Sequence, residues 1–489
     1  MERSDPASLR QLIDTEPAVL LAGAEAALAH VAGLDQRGAG VAPEAIAALD
    51  RFDEPLPERP GDGAATLALL AGSGGPATMG SPGADYFGFV NGGTLPVALG
   101  AAFVTAAWDQ NGALPMMSPV ADRLHRVTRR WLIELLGLPP VTEVAFVSGA
   151  TMANASCLAA ARDALAAEVG WDVPSHGLLG APPIEVVVGA KAHTTIGKSL
   201  SLIGLGRDRV TLVPSDDQGR IVADGLRQLD LPEDRPVIVC AQAGEVNTGA
   251  FDPFAELVDW CRSRRSAWLH VDGAFGLWAL ADPGRAELTA GLTGADSWAT
   301  DGHKWLNVTY DCGLAMVARP GSLRRTFTAT AGYLPPAGGD APAEALFEGP
   351  FEAPFEAPFE AMHHTPQSSQ RARQIEVWAV LRTLGRSGLG DLVRRACDSA
   401  GLLAEHLDGA GFEVLNDVVL NQVLVRWGDG EATAALIEVV QGDGRLWCGP
   451  TQWEGETAMR LSVSSWRTSP DTARRAGEIL VELATTVGR

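Results

Sequence analysis

The chain has 489 residues, of which 46% are hydrophobic and 20% charged, a composition typical of globular proteins that excludes a wholly disordered chain. Its 60 acidic and 38 basic residues give a net charge of −22, which argues against nonspecific binding to nucleic acid or to an anionic membrane surface. At about 150 residues per domain, this length allows about three domains.

The basic residues include only three lysines, Lys191, Lys198 and Lys304, so a reaction that needs an amine nucleophile has three candidates. The six cysteines form no CxxC pair and have no regular spacing, so we expect no metal site, no disulfide framework and a reducing compartment. The charged N-terminus has no apolar segment, so we expect no signal peptide and a cytoplasmic location. The alanine-rich stretch 17–33 is interrupted by Glu25 and His30 and predicts a helix, not a membrane span.

Residues 1 to about 80 show helical patterns separated by loops rich in proline and glycine, and residues 124–138 have the apolar periodicity of a helix. Between residues 143 and 318, short apolar runs alternate with helical segments. The runs are VAFVSG, IEVVVGA, VTLVPS, PVIVCAQA, AWLHVDGA, DSWATDG and GLAMVA. Such alternation is typical of an α/β fold with a mainly parallel sheet covered on both faces. Ligands of these sheets bind at the carboxyl ends of the strands, so the residues that follow the runs matter most.

The alternation is interrupted at residues 334–362, where PFEA occurs three times in succession, at 350–353, 354–357 and 358–361. A proline at every fourth residue is incompatible with a regular helix, so we expect an extended or mobile surface loop. A repeat that is tolerated as an insertion explains the pattern equally well. A helix around 371–384 then leads into a smaller α+β region, with strands predicted within 413–427 and 458–466.

Polar segments follow several of the predicted strands. In SGATMAN (148–154), a turn of small residues runs into a helix, and its free N–H groups suit a phosphate, although such turns are common. His193 lies where the next strand passes into a helix, and a single histidine there is more often a satisfied polar residue. Asp272 ends an apolar strand, where a carboxylate needs a cationic partner, either an arginine or a ligand atom.

Lys304 lies between His303 and Trp305, surroundings in which a lysine can act as a Schiff-base amine. The scarcity of lysine weakens the alternative of an ordinary surface side chain. Pyridoxal phosphate needs an amine for its aldehyde, a carboxylate for its pyridine nitrogen, a flat group over its ring and donors for its phosphate. Lys304, Asp272, His193 and the 148–151 turn supply one each, so together they predict a pyridoxal phosphate site.

From about residue 80 to the C-terminus, the chain resembles the group II pyridoxal-phosphate-dependent amino acid decarboxylases, which act on substrates such as aromatic amino acids, glutamate and histidine. The motifs that carry this resemblance are YFGFVNGG, SPVADRLHRV, SGATMANASCLAAAR, AHTTIGKS, GEVNTGAFDP, HVDGAFG and DSWATDGHKWLN. The resemblance implies fold type I, with a large cofactor-binding domain over 86–370 that contains a seven-stranded sheet and the mobile loop 334–364. It further implies a small α+β domain over 371–489 and a homodimer with active sites at its interface, in which the helical segment 1–85 packs on the partner subunit.

The resemblance also assigns residues to the cofactor, motif by motif. Lys304 is implied to bind it covalently, Asp272 to pair with its pyridine nitrogen, and His193 to stack on its ring. The remaining residues implied to contact the cofactor are Ala150 and Thr151 at the phosphate, His303 near the phosphate, and Ala274 on the ring face opposite His193.

Substrate contacts are implied for three further residues. Phe87 and Phe89 are expected at the entrance of the pocket, which favours an apolar or aromatic substrate, although they fit a core position equally well. Arg460 resembles the arginine that meets the substrate carboxylate in part of the family, and an arginine paired at the surface explains it equally well.

The chain departs from the family pattern at three places. GEV (244–246) replaces the usual Gly-Thr-Thr, and Asp301 lies where some members carry an asparagine near the phosphate. In the aromatic decarboxylases a loop tyrosine returns a proton to the substrate carbon, but residues 340–364 contain no tyrosine. His363 or His364 is a candidate donor, because an imidazole has a suitable pKa. A phenylalanine in the tyrosine's place would instead divert the reaction toward oxygen and an aldehyde product.

The leading hypothesis is therefore an amino acid decarboxylase that releases CO2 and a primary amine. The alternatives are a decarboxylating oxidative deaminase that forms an aldehyde and, with less support, an aminotransferase. A non-catalytic dimeric scaffold is a further alternative, and the joint presence of Lys304, Asp272 and His193 argues against it.

Overall fold

The structure is a computed structural model that describes residues 6–58, 61–329 and 359–487, with side chains from residue 13 onward. The predicted loop 334–364 lies, as far as residue 358, outside the described residues. Among the described helices, none is both long enough and apolar enough to cross a lipid bilayer.

Helices dominate the first part of the chain. They are α1 (Pro6–Ala32), α2 (Pro43–Ala47), α3 (Gly63–Leu69), α4 (Pro96–Trp108) and α5 (Pro119–Leu136). The N–H of Ala64 in α3 donates to the Asp62 carboxylate over 2.9 Å, and α5 begins after Ser118, whose hydroxyl accepts from an N–H of the first turn. Gly137 ends α5 with a φ of +63°, a left-handed conformation that favours glycine. The helices predicted over 17–33 and 124–138 correspond to α1 and α5.

Each of the apolar runs between residues 143 and 318 forms a strand of one seven-stranded sheet. The strands are β1 (Glu143–Val147), β2 (Glu185–Gly189), β3 (Thr211–Val213), β4 (Val237–Gln242), β5 (Ala267–Asp272), β6 (Ser297–Asp301) and β7 (Gly313–Val317). Their order is β1-β7-β6-β5-β4-β2-β3, and β7 alone runs antiparallel to its neighbours β1 and β6. The mainly parallel α/β sheet predicted from the sequence is thereby confirmed.

Helices cover this sheet on both faces, as its apolar strands require. The helices between the strands are α6 (Ala150–Glu168), α7 (Val173–His176), α8 (Thr194–Leu202), α9 (Ala223–Arg227) and α10 (Phe254–Ser263), and α11 (Ser322–Phe327) follows β7. On one face Trp268 packs with α6 and α8, and on the other Trp278 and Trp298 belong to the larger part of the core. The parallel strands therefore end together along one edge of the sheet.

A smaller antiparallel sheet follows a long helix near the C-terminus. Its elements are α12 (Gln374–Gly409), β8 (Glu413–Val414), β9 (Gln422–Arg426), α13 (Gly430–Asp443), β10 (Gly449–Trp453), β11 (Glu456–Ser462) and α14 (Pro470–Ala484), with strand order β10-β11-β9-β8. The helix predicted to end at 384 does end there, because Gly385 has a non-helical φ of +62° and ψ of −174°, and a second helix follows it within α12. One prediction needs correction here. The run 413–427 is two strands, because Asn416 between them bonds to the main chain of Thr248 and Gln422.

Candidate active site

A cavity of about 270 Å³ opens at the carboxyl edge of the large sheet. Segments that follow β1, β2, β4, β5 and β6 supply its walls. The lining includes every residue that the sequence predicted to contact the cofactor: Ala150, Thr151, His193, Asp272, Ala274, His303 and Lys304. Residues as far apart in the chain as Ala150 and Lys304 meet here because parallel strands bring their carboxyl ends to the same edge.

Lys304 lies in the turn that follows β6, and its Nζ is 3.3 Å from Oδ2 of Asp301. The carbonyl oxygen of Lys304 accepts the N–H of Asn307 over 3.2 Å. Gly92 lies directly against that carbonyl, because a Cβ at position 92 would be 1.7 Å from the oxygen. The YFGFVNGG segment therefore packs on the lysine turn only because it has a glycine at this position.

Asp272, the last residue of β5, is buried and has only neutral hydrogen-bond partners among the described residues. Its Oδ2 accepts from Nδ2 of Asn154 over 3.0 Å, and its Oδ1 accepts from the N–H of Ala274 over 3.1 Å. Burial raises the pKa of Asp272, while the nearby His193 and Lys304 oppose that rise. A buried carboxylate that lines a cavity without an ion-pair partner suits a ligand with a protonated ring nitrogen.

A further amide and imidazole hold this carboxylate in place. Oδ1 of Asn154 accepts from Nε2 of His270 over 2.9 Å, and Nδ1 of His270 lies 2.9 Å from the hydroxyl of Ser297. Burial lowers the pKa of His270 to about 3, so its ring is neutral near pH 7. The sequence analysis missed Asn154, although a single amide on an alanine-rich, buried helix was a usable signal.

His193 immediately precedes α8 and caps it. Its Nδ1 accepts from the N–H of Thr195 over 3.3 Å and lies 2.7 Å from the Thr195 hydroxyl. Since Nδ1 is an acceptor, the neutral ring carries its proton on Nε2. Burial lowers the pKa of His193, which keeps the ring neutral and available to lie flat against an aromatic ligand.

The N-terminus of α6 forms the opposite end of the cavity. The N–H of Ala150 donates to Oδ1 of Asp301 over 2.6 Å, and Nε2 of His303 is 3.4 Å from the same oxygen. Nδ1 of His303 accepts from the N–H of Cys312, and its ring stacks on Tyr310 at 4.2 Å between centroids. A helix N–H and an imidazole N–H thus converge on one point, an arrangement that binds anions.

These features fit pyridoxal phosphate. The amine of Lys304, the buried Asp272 carboxylate, the neutral His193 ring and the N–H donors of α6 and His303 all surround one cavity. Bound there, the cofactor would supply a ring that accepts the electrons left when a bond to the substrate α-carbon breaks.

The three predicted substrate residues do not line the cavity. Phe87 is buried in the core, and its N–H donates to the carbonyl of Trp447 over 2.8 Å. Phe89 is 63% exposed and stacks on the Trp447 ring at 5.2 Å. Arg460 is not among the lining residues; its Nη1 donates over 3.3 Å to the carbonyl of Val246, which does line the cavity, and its charge acts on the ring of His193.

His363 and His364 lie at the other edge of the sheet within this chain. Nε2 of His364 is 3.9 Å from Oε1 of Glu143, the first residue of β1. The cavity lies beyond Val147, the last residue of that strand. Both rings are buried, and burial lowers the pKa of His364 to about 4 and also lowers that of His363. Within one chain, neither ring lies near Lys304, and the assignment of His363 or His364 as the proton donor stays a prediction.

Comparison with known proteins shows a family and a shared fold. The pyridoxal-dependent decarboxylase conserved domain matches residues 85–427. An aromatic-L-amino-acid decarboxylase from Bacillus atrophaeus is 25% identical over 405 residues, which cover 79% of this chain and 78% of the relative. The acidic amino acid decarboxylase GADL1 of Bos taurus is 27% identical over 339 residues, 68% of this chain and 59% of the relative. The solved structure of Oryza sativa TDC with PLP and tryptamine superposes with a TM-score of 0.85 at 20% identity, covering 97% of this chain and 98% of that one.

Proposed function

This chain belongs to the pyridoxal-dependent decarboxylase family and is a pyridoxal-phosphate-dependent amino acid decarboxylase, and on that premise we propose that its substrate is an L-amino acid with an apolar or aromatic side chain. The observation that carries this substrate class is the cavity lining. Among the described residues, the lining contains Val246 and Phe275 but no arginine, and its only lysine is Lys304. Among the described lining residues, a second carboxylate would find no arginine and no lysine other than Lys304 to pair with, and Arg460, which is bonded to the carbonyl of Val246, is a candidate cation outside the lining.

The proposal gives each residue of the cavity a role. Lys304 would hold the cofactor through Nζ, and Asp272 would hold a proton on its pyridine nitrogen, because a buried carboxylate favours a cationic partner. His193, whose Nε2 carries the ring proton, and Ala274 would contact the cofactor ring. Ala150, Thr151 and His303 would hold the phosphate. The bound cofactor would supply a ring that accepts the electrons released with CO2, and these residues would orient the substrate for that reaction.

We further propose a cytoplasmic homodimer whose interface closes the cavity. Large apolar side chains are exposed on α1 and on the segment after α4, among them Leu20 at 65%, Leu28 at 60% and Met116 at 74%. Next to the lysine turn, Phe89 and Tyr310 are 63% and 60% exposed. A partner that covers these surfaces would remove apolar area from water and exclude solvent from the site. Sedimentation analysis tests the proposal, and a monomer at micromolar concentration would contradict it.

The experiment for the substrate class is product analysis of the cofactor-loaded protein in air with a panel of L-amino acids. We expect CO2 and the amine from phenylalanine, tyrosine, tryptophan or leucine, and little turnover of aspartate, glutamate or cysteine sulfinate. Lys304→Ala is the matched control, and we expect no product from it. A preference for the acidic substrates would overturn the proposed class, and a 2-oxo acid product would indicate aminotransfer instead.

Two observations favour an aldehyde as an alternative product. The two histidines after the PFEA repeat are buried at the far edge of the sheet, and residues 340–364 contain no tyrosine. If no side chain returns a proton to the substrate carbon, O2 can oxidise it, so that amino acid, O2 and water give aldehyde, CO2, ammonia and hydrogen peroxide. The same assay distinguishes the products. The oxidative reaction consumes one O2 and forms one hydrogen peroxide for each CO2 released.

A further inference from the structure

Asp301 is a carboxylate at the point where the cavity offers donors to an anion. It ends β6 and is 2% exposed. Its Oδ1 accepts from the N–H of Ala150 over 2.6 Å and lies 3.4 Å from Nε2 of His303, and its Oδ2 lies 3.3 Å from Nζ of Lys304. The side chain therefore contacts the same donors that the proposed function assigns to the phosphate and the aldehyde of the cofactor.

The main chain holds this carboxylate in position. The N–H of Asp301 donates to the carbonyl of Ala274 over 2.9 Å, and its carbonyl accepts from Nε1 of Trp278 over 3.0 Å. Gly149 lets the carboxylate approach α6, because a Cβ on this glycine would lie 3.3 Å from Oδ1 and 3.2 Å from the His303 ring. Only rotation of the side chain can move the carboxylate away from the N-terminus of α6.

We propose that Asp301 is an internal competitor for the cofactor phosphate: it holds the anion position at the N-terminus of α6 and so lowers the affinity of this site for phosphate-bearing ligands. The inference rests on the proposed function, which assigns that N-terminus to the phosphate. Two anions that share the same N–H donors repel each other, and burial strengthens the repulsion because solvent screens it less.

The proposal predicts that one substitution has two effects of opposite sign. Asp301→Asn keeps an oxygen that can accept from Ala150, removes the negative charge, and adds an N–H that can donate to a phosphate. We expect it to tighten binding of pyridoxal phosphate roughly tenfold or more, because one unit of charge repulsion is lost. The same change should lower the thermal midpoint of the apoprotein, since α6 and Lys304 lose their anion. If Asp301 had a purely structural role, its substitution would instead lower both the affinity for pyridoxal phosphate and the thermal midpoint of the apoprotein.

The test compares pyridoxal phosphate with pyridoxal, which has the same aldehyde and ring but no phosphate. Dissociation constants are measured by fluorescence titration of the wild type and of Asp301→Asn. We expect the ratio of the pyridoxal to the pyridoxal phosphate constant to rise in the variant. Any effect that acts through Lys304 changes the dissociation constant of pyridoxal as well. A change in the ratio of the two constants is therefore due to the phosphate. An unchanged or lower ratio would overturn the proposal.

Two controls separate this result from other causes. Asp296→Asn removes a carboxylate just before β6 that pairs with Arg319 outside the cavity, so it should lower stability and leave the ratio unchanged. In a Lys304→Ala background the ratio should still rise with Asp301→Asn, because the competition does not need the covalent bond. Failure of the wild type to bind pyridoxal phosphate through Lys304 would refute the proposed function, whereas normal binding with an unchanged ratio refutes only the role of Asp301.

Discussion

Asn307 joins the lysine turn to the segment after β11, and its replacement should be strongly destabilising. Its side chain is fully buried, and Nδ2 donates to the carbonyls of Trp305 over 2.7 Å and of Ser464 over 3.1 Å. Oδ1 accepts from the N–H of Trp466 over 2.8 Å. Asn307 has a φ of +57°, a left-handed conformation that asparagine tolerates better than most residues.

The magnitude of the effect follows from these contacts. Asn307→Ala leaves three main-chain groups without the Asn307 side chain as hydrogen-bond partner, and at about 1 kcal/mol each the loss is about 3 kcal/mol. Alanine in the left-handed region costs about 1 kcal/mol more, so we expect about 4 kcal/mol in the free energy of unfolding. Asn307→Gly loses the same hydrogen bonds without the backbone penalty, so it should be about 1 kcal/mol less destabilising than alanine.

Urea unfolding of the apoprotein, followed by tryptophan fluorescence, measures these differences. A second measurement is the affinity for pyridoxal phosphate, which should fall in both variants because the turn that carries Lys304 is no longer tied to the Ser464 main chain. Losses below about 1 kcal/mol in both variants would refute the reasoning from buried hydrogen bonds. Equal losses in the alanine and glycine variants would refute the contribution of the left-handed backbone.

Three further predictions concern the same site. Lys304→Ala should abolish covalent cofactor binding and turnover while the circular dichroism spectrum stays unchanged, and retained turnover would exclude the assigned role. Gly92→Ala should weaken cofactor binding, because its Cβ would lie 1.7 Å from the Lys304 carbonyl oxygen; unchanged affinity in a titration would contradict the close packing. His270→Asn should be less stable than the wild type at neutral pH, and this difference in unfolding free energy should become smaller as pH falls. The native ring has a pKa of about 3, so below pH 6.5 the unfolded wild type binds the proton first and the wild type loses stability relative to the variant. By pH 5 this narrows the difference in unfolding free energy by about 2 kcal/mol, and a difference that does not change with pH would refute the burial of a neutral ring.

Much of the cavity could be predicted because its residues follow directly from strands. A polar residue at the end of an apolar run lies at the carboxyl edge of a parallel sheet. This position does not depend on which strand is its neighbour. This reasoning correctly predicted that Asp272, His193 and Lys304 meet at one edge. It could not predict that Asp301 bonds to Ala150, because that contact depends on how the end of β6 approaches α6 across the sheet.

Residues outside regular elements could not be predicted in the same way. Phe87 and Phe89 are two positions apart, a spacing that would place them on the same side of a strand, yet one is buried and the other exposed. The main chain turns at Phe89 and Val90, which have φ values of +53° and +61°, so the alternation of a strand does not apply. Arg460 lies within β11, but only the packing of the small sheet shows that it bonds to the main chain of Val246 in the cavity wall.

The strands, the helices around them and the identity of the reactive groups could be predicted from the sequence, because apolar periodicity and strand-end position are local properties of the chain. The edge of the sheet at which the later segments lie depends on tertiary packing. Since β7 runs antiparallel, its last residue, Val317, pairs with Glu143 at the amino edge, and the chain leaves the sheet on the side opposite Lys304. His363 and His364 lie on that same side, near Glu143, and nothing local in the sequence encodes the direction of β7.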